Sequence, residues 1–291
     1  MIRKVIVASL VIGSFAARAA EVLLPAVTPV AYGSANSVWA SEVRLTNLSG
    51  VEAHFSVVDW IGTPGWRPKA WAIPPHSSLS IGGFDILNDQ AYAASHPAAI
   101  PIPAFGAAIA DADEGLIIQV AILTGIAPLG GIGNLVYCEP WNGGYLGSGG
   151  TDGPCARVGP CDTGAGPLLD ATDFFPAGST ILLTWLHTDP ERRTNVVFIN
   201  PDPTPATVDV TYFAADGTAW PARRYQVGAH SLLQTNDVFS GDLASLRAYN
   251  VGLPAAAARA TLRSNTRLYA LSYVISNLNN TVTVGTPRLV Q

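Results

Sequence analysis

Charged residues are scarce in this sequence. Asp, Glu, Lys and Arg make up 13% of its 291 residues, and the formal net charge is −5 at pH 7. Lys69 is the only lysine beyond residue 4, and no basic run is longer than a pair. Proteins that bind nucleic acids usually carry a strongly basic face. The composition therefore predicts that neither nucleic acids nor other polyanionic surfaces are partners.

Long apolar runs are also missing, with one exception at the N-terminus. Residues 5–17 are largely apolar, follow Arg3 and Lys4, and end in small residues. This pattern is typical of a secretory signal peptide, and the run is too short to span a bilayer. We predict a signal peptide over residues 1–19, cleaved after Ala19, and a mature chain without a membrane span. That chain is expected in the periplasm or outside the cell.

Cysteine is rare, and its three copies lie close together. Cys138, Cys155 and Cys161 flank or interrupt one glycine-rich stretch. Because an exported chain reaches an oxidising compartment, the cluster predicts a disulfide. Cys155 with Cys161 is the preferred pair, although spacing does not fix connectivity and Cys138 could pair with either. With no C-x-x-C pair and no neighbouring His, the cluster does not predict a zinc site.

What the sequence does contain is an internal echo. Residues 41–60 (SEVRLTNLSGVEAHFSVVDW) and 194–213 (TNVVFINPDPTPATVDVTYF) keep their apolar positions in register at a shift of 153, which becomes 154 after one turn. Further out, Pro25 matches Pro176. We interpret the echo as a duplication. The matched pairs include Val43 with Val196, Leu45 with Phe198, Asn47 with Asn200, Phe55 with Val208, Trp66 with Trp220, Trp71 with Tyr225 and His76 with His230.

Each copy alternates apolar and polar side chains, as antiparallel strands do. The predicted fold class is all-β, with two tandem antiparallel β-sandwich domains over residues 21–140 and 172–291. A linker rich in Gly and Cys joins them over residues 141–171. Segments 88–95 and 240–249 lose the two-residue period, which indicates short helices or loops.

Three stretches carry a family resemblance. LPAVTPVAYGSANSVWASEVRLTNLSG, PPHSSLSI and RLYALSYVISNLNNTVTVGTP resemble parts of a class of secreted bacterial β-sandwich, immunoglobulin-like repeat domains of uncharacterised function. The resemblance covers both halves, here as two divergent copies. It implies a non-catalytic module, often repeated or attached to larger secreted proteins, and it transfers no activity to particular residues.

Motifs for catalysis or cofactors are weak. Glycines 147 and 149 around Ser148 lack the spacing of a nucleophile elbow, and glycines 130, 131 and 133 lack that of a dinucleotide loop. Asp111, Asp113 and Glu114 offer oxygen ligands for calcium, but without EF-hand spacing they favour a solvated turn. We therefore predict no cofactor and no metal site.

The two matched histidines are the most tempting catalytic residues. His76 precedes Ser77 and His230 precedes Ser231, each pair in a turn that enters a strand. A catalytic triad needs a geometry that sequence does not supply. The pattern favours the alternative, in which His and Ser close a β-turn through hydrogen bonds. The protein is therefore predicted not to be an enzyme.

An aromatic and basic cluster recurs in both copies. It can stack on sugar rings, or it can be a cross-strand pair that protects a sheet edge. The first function hypothesis is a structural or interaction module of the cell envelope or exterior, with a polysaccharide or another envelope protein as partner. The alternative is a carbohydrate-binding protein, and the third is a hydrolase whose site is assembled from distant loops. The tentative ligand residues are Trp66, Lys69, Trp71, Trp220, Arg223 and Tyr225.

Overall fold

The structure is a computed structural model of the chain, and its regular elements are almost entirely β strands. This confirms the predicted all-β class. The structure describes residues 20–27, 31–32, 37–62, 68–83, 86, 106–126, 164–187, 191–214, 216–236, 238–239, 258–276 and 282–290.

Two antiparallel sheets form the first half. The strands are β1 (Ala20–Val27), β2 (Ala31–Tyr32), β3 (Ser37–Asn47), β4 (Ala53–Ile61), β5 (Lys69–Ile73), β6 (Ser77–Gly82), β7 (Gly106–Ala112), β8 (Leu116–Ile126) and β9 (Gly164–Asp170). Sheet I has the order β1-β7-β4-β5. In sheet II, β3 pairs with β8 on one side and with β2 and β6 on the other, and β9 pairs with the far side of β8.

The second half is again a pair of antiparallel sheets. The strands are β10 (Thr180–Leu186), β11 (Arg192–Asn200), β12 (Ala206–Phe213), β13 (Arg223–Val227), β14 (Ser231–Thr235), β15 (Ala258–Ser264), β16 (Tyr269–Ser276), β17 (Val282–Gly285) and β18 (Arg288–Leu289). Sheet III has the order β14-β11-β16-β17, and sheet IV has the order β13-β12-β15-β10-β18.

The two halves share one strand order. Strands β1-β7-β4-β5 correspond to β10-β15-β12-β13, and β6-β3-β8-β9 correspond to β14-β11-β16-β17. The register agrees too, because Asn47 pairs with Ser77 as Asn200 pairs with Ser231. The order of elements that the sequence echo predicts is therefore present in both halves.

The outermost pair of the predicted alignment is wrong. Pro25 lies inside β1, whereas Pro176 lies in the turn before β10. The equivalent positions are set instead by a bulge in each strand, between Leu24 and Val27 in β1 and between Leu183 and Leu186 in β10. The match of Pro25 with Pro176 gave a wrong alignment because proline occurs both at strand irregularities and in turns.

Part of the predicted linker is a strand. Residues 164–170 form β9, which pairs with β8 and buries Leu169. Linker residues 141–163, Cys138, Cys155 and Cys161, and the segments 88–95 and 240–249 lie outside the described residues.

Alternating side chains build a core between sheets I and II. Val43 and Leu45 of β3 and Phe55 and Val57 of β4 are fully buried, whereas Arg44 between them is exposed. This follows from the two-residue period of a strand. Each such apolar side chain contributes about 1.5 to 3 kcal/mol when it leaves water. Phe198, Val208, Val210 and Tyr212 do the same between sheets III and IV.

Sheet III is buried on both faces. In β11, Val196 and Phe198 face sheet IV, whereas Val197 and Ile199 belong to the core of the first half. Their partners Leu271 and Tyr269 in β16 join that same core. Sheet III therefore connects two cores.

The surface that covers this second face of sheet III is the outer side of sheet I. Leu23 and Ile109 pair with each other there and are buried. Leu23 also exchanges backbone hydrogen bonds of 2.7 and 3.0 Å with Thr172. Asp59 Oδ1 of β4 lies 3.4 Å from Nε2 of His230 in the second half. Sheet III therefore lies between sheet IV and the outer side of sheet I, and its edge strand β17 also contacts β9 of sheet II.

This shared core generates a stability prediction. Leu271→Ala removes a side chain that is 1% exposed at the contact between sheets I and III. It should lower the free energy of unfolding by about 2 to 5 kcal/mol, because it leaves a cavity. Urea unfolding followed by circular dichroism measures this loss, and one transition is expected for both halves.

The matched control is Leu48→Ala, since Leu48 is 64% exposed. It should change the free energy of unfolding by less than about 0.5 kcal/mol. Equal losses in both variants, or two separate transitions in the unaltered protein, would contradict a core shared by the halves.

Candidate functional site

The second Trp of the predicted ligand surface is a core residue. Trp220 is 8% exposed and meets the ring of Phe239 edge-on, with centroids 5.2 Å apart and planes at 89°. Its backbone N–H donates to the carbonyl of Tyr212 at 2.9 Å. An indole packed in this way has no open face for a sugar ring, which corrects the stacking role expected of Trp220. Trp66 lies outside the described residues.

Trp71 and Tyr225 occupy equivalent places on the edge strands β5 and β13. Both are half-buried and lean onto a core, with Trp71 5.9 Å from Phe55 and Tyr225 5.1 Å from Phe198 between ring centroids. The hydroxyls of Tyr225 and Tyr212 lie 3.2 Å apart. Burial, reinforced by Tyr225, raises the pKa of Tyr212 well above its usual range.

The basic partners of these aromatics also occupy equivalent places. Lys69 pairs with Val57 at the start of β5, and Arg223 pairs with Val210 at the start of β13. Both side chains are half-buried. The structure thus brings Lys69 and Trp71 onto one strand, and Arg223 and Tyr225 onto another, in a cross-strand packing arrangement.

The two matched histidines hold a left-handed backbone. His76 has φ of 52° and His230 has φ of 44°, a region that His adopts more readily than most residues. The N–H of His76 donates to Ser49 O at 3.2 Å, and that of His230 donates to Asp202 O at 2.7 Å. These bonds join the β5–β6 and β13–β14 turns to the turns that precede β4 and β12.

Serine closes the first of these turns, and an aspartate approaches the second histidine. Ser77 Oγ donates to Pro74 O at 2.7 Å. His230 has Nδ1 3.2 Å from Pro201 O and Nε2 near Asp59. Sequence reasoning missed Asp59, because only the packing of the two halves brings it close.

A buried asparagine ties the same turns together in both halves. Asn47 is 1% exposed and its Nδ2 donates to Val51 O at 2.7 Å and to Ile73 O at 3.0 Å. Asn200 is fully buried and donates to Thr204 O and Gly228 O, both at 2.8 Å. Sequence analysis matched these residues without giving them a role. Their recurrence in equivalent positions was the available signal.

The acidic turn at residues 111–114 has a local partner. Asp113 Oδ2 accepts the backbone N–H of His54 at 2.7 Å and lies 3.2 Å from its Nδ1. Asn265 Oδ1 accepts the N–H of Thr207 at 2.6 Å in the equivalent place. Within the described ranges no group of three potential metal ligands occurs.

Comparisons with protein-family models, with curated proteins and with solved structures give no match to the chain. Among the residues that the structure describes, no helix has the length and apolar character needed to cross a membrane.

Two tryptophans provide a matched test of the packing interpretation. Trp220→Ala should lower the free energy of unfolding by about 3 to 5 kcal/mol, because the indole fills the core beside Phe239. Trp185→Ala should change it by less than about 0.5 kcal/mol, since Trp185 is 64% exposed. Thermal and urea unfolding measure both. Comparable losses would contradict the assignment of Trp220 to the core.

The histidine turns make a separate prediction. His76→Gly keeps the backbone N–H that bonds to Ser49 and removes the cost of a left-handed conformation, so the protein should stay folded with unchanged or higher stability. His76→Val should cost about 1 to 2 kcal/mol, because a β-branched residue is strained at this φ. Urea unfolding compares the two. A larger loss in the glycine variant would show that the imidazole is needed for folding.

Proposed function

We propose that this chain is an exported, non-catalytic structural or interaction module that acts at the cell envelope or exterior. The carrying observation is the burial of sheet III on both faces, which fixes the two halves against each other. Four sheets packed against one another in this way present their remaining surfaces in one arrangement. Binding groups on strands of such a scaffold are positioned more accurately than groups on loops.

The N-terminal segment supports export in this proposal, and the common strand order supports an origin by duplication. The matched histidines support the non-catalytic part, because their N–H groups and left-handed backbones serve turns in both halves. A residue that recurs for a backbone reason needs no catalytic explanation.

Carbohydrate binding is the second candidate function. Trp185 favours it, because this indole is 64% exposed, whereas Ala26 at the equivalent bulge of β1 is 1% exposed. Exposed aromatic side chains can stack on a ligand ring. In this candidate function Trp185 is the stacking residue in place of Trp220, which is buried.

Export can be tested in a bacterial host that produces the chain from residue 1. The mature protein should appear in the periplasm or the medium and begin at Ala20, as N-terminal sequencing would show. A variant with Arg3→Glu and Lys4→Glu is the control and should stay in the cytoplasm, because a signal peptide needs its basic start. An intact N-terminus on a cytoplasmic protein would contradict the proposal.

Binding without turnover is tested with isolated envelope and extracellular polymer fractions. The protein should sediment with one of these fractions, and no small product should accumulate during incubation. The double variant His76→Gly with His230→Gly should bind equally well. Products that appear with the unaltered protein and vanish with the double variant would overturn the non-catalytic proposal.

A further inference from the structure

The outer face of sheet IV differs in charge from the rest of the chain. Its described residues include four exposed arginines and one aspartate, a net charge of +3 on a chain whose formal net charge is −5. Threonines separate the charges along neighbouring strands. Strand pairing arranges these residues in three rows across the sheet. The first row is Arg224, Asp209 and Arg263, the second is Thr211, Thr261, Leu182 and Arg288, and the third is Phe213 and Arg259.

One acidic group on this face is already occupied. Arg224 Nε and Nη2 donate to the two carboxylate oxygens of Asp209 at 2.7 and 3.2 Å, and this pairing lowers the pKa of Asp209. Arg263 donates to the neutral carbonyl of Gly178 at 3.2 and 3.0 Å, so its charge is retained. The positive charge of the face therefore resides mainly on Arg259, Arg263 and Arg288.

An aromatic pair borders Arg259. Its guanidinium carbon lies 5.0 Å from the centre of the Phe213 ring. On the other side, the bulge in β10 places Thr184 and Trp185 opposite Arg259, because Leu183 pairs with Ala260 and Leu186 with Ala258. This row therefore runs Phe213, Arg259, Trp185, with the indole 64% exposed.

The equivalent face of the first half is the outer side of sheet I, and its side chains differ from those of sheet IV. The outer side of sheet I buries Leu23, Ile109 and Ile61 against sheet III, and its bulge carries Ala26, which is 1% exposed. Sheet IV has arginines and threonines on that side, and Trp185 replaces the alanine at the bulge. Stacking a second apolar sheet here would bury charges without partners, which is costly.

We propose that the outer face of sheet IV binds an acidic polysaccharide, with Trp185 stacking on a sugar ring and Arg259 pairing with a carboxylate. The face spans the strands of a five-stranded sheet, and its threonine hydroxyls can bond to sugar hydroxyls. Arginine suits planar carboxylates. This inference rests on the proposed function and names its partner. It also revises the expectation from composition that polyanions are poor partners.

The probe is polygalacturonate, a chain of uronic acid rings. Isothermal titration calorimetry with the purified protein should detect binding that weakens as salt rises from about 50 mM to about 500 mM, because salt screens exposed charges. Fully methyl-esterified polygalacturonate retains the rings without the charge, and polyglutamate retains carboxylates without the rings. Each should bind at least about tenfold more weakly, since one of the two interactions is missing.

Variants on and off the face locate the site. Trp185→Ala and Arg259→Gln should each weaken polygalacturonate binding by about tenfold or more, as truncation of central aromatic and arginine contacts does. Arg44→Gln on the outer face of sheet II and Leu48→Ala in a loop are the controls and should bind like the unaltered protein. Unchanged melting temperatures for Trp185→Ala and Arg259→Gln would show that the fold is kept.

The outcomes separate this inference from the proposed function. If polygalacturonate does not bind, if Trp185→Ala and Arg259→Gln bind normally, or if polyglutamate binds equally well, the inference is overturned. Retention of the same protein on an envelope fraction would still support the proposed module. Shortening of polygalacturonate during incubation would overturn the non-catalytic proposal, while loss of binding in the two variants would still support the site on sheet IV.

Discussion

The burial of sheet III on both faces is the constraint on which the rest of this structure depends. Val196 and Phe198 belong to the core between sheets III and IV, whereas Val197 and Ile199 belong to the core of the first half. Separating the halves would therefore expose apolar side chains of sheet III to water. Hydrophobic burial is roughly proportional to area and dominates folding. It therefore joins what would otherwise be two sandwiches into one body, and it decides which outer faces remain for partners.

Turn chemistry supports this packing in the same way in each half. In each half a buried asparagine side chain and the N–H of a left-handed histidine donate hydrogen bonds to backbone carbonyls and so connect the ends of the two sheets. The pairs are Asn47 with His76 and Asn200 with His230. Buried polar groups are costly unless they are bonded, so such a residue specifies one arrangement of its turns. The left-handed backbones and N–H bonds of His76 and His230 give both residues a role in these turns.

The halves differ most in the outer faces of sheets I and IV, because the shared core covers the first face and leaves the second exposed. Sheet I buries Leu23, Ile61 and Ile109 of its outer face in the core that it shares with sheet III, whereas the equivalent face of sheet IV carries arginines, threonines and Trp185. If the halves descend from one copy, the buried face was constrained by packing and the open one was not. An interaction surface on sheet IV is consistent with that freedom.

The sequence by itself determined the all-β class, the two-residue alternation of β3, β4 and β12, and the equivalence of the Asn47 and Asn200 turns, because these depend on local backbone preferences. Burial of β11 and β16 on both faces was not expected, because the sequence predicted two sandwich domains joined by a linker. Only the tertiary structure decided that Trp220 is buried, that Asp59 meets His230, and that β9 pairs with β8. Arg224, Arg259 and Arg288 are far apart along the chain, and strand pairing alone places them on one face, because hydrogen-bonded register sets neighbours that sequence order does not.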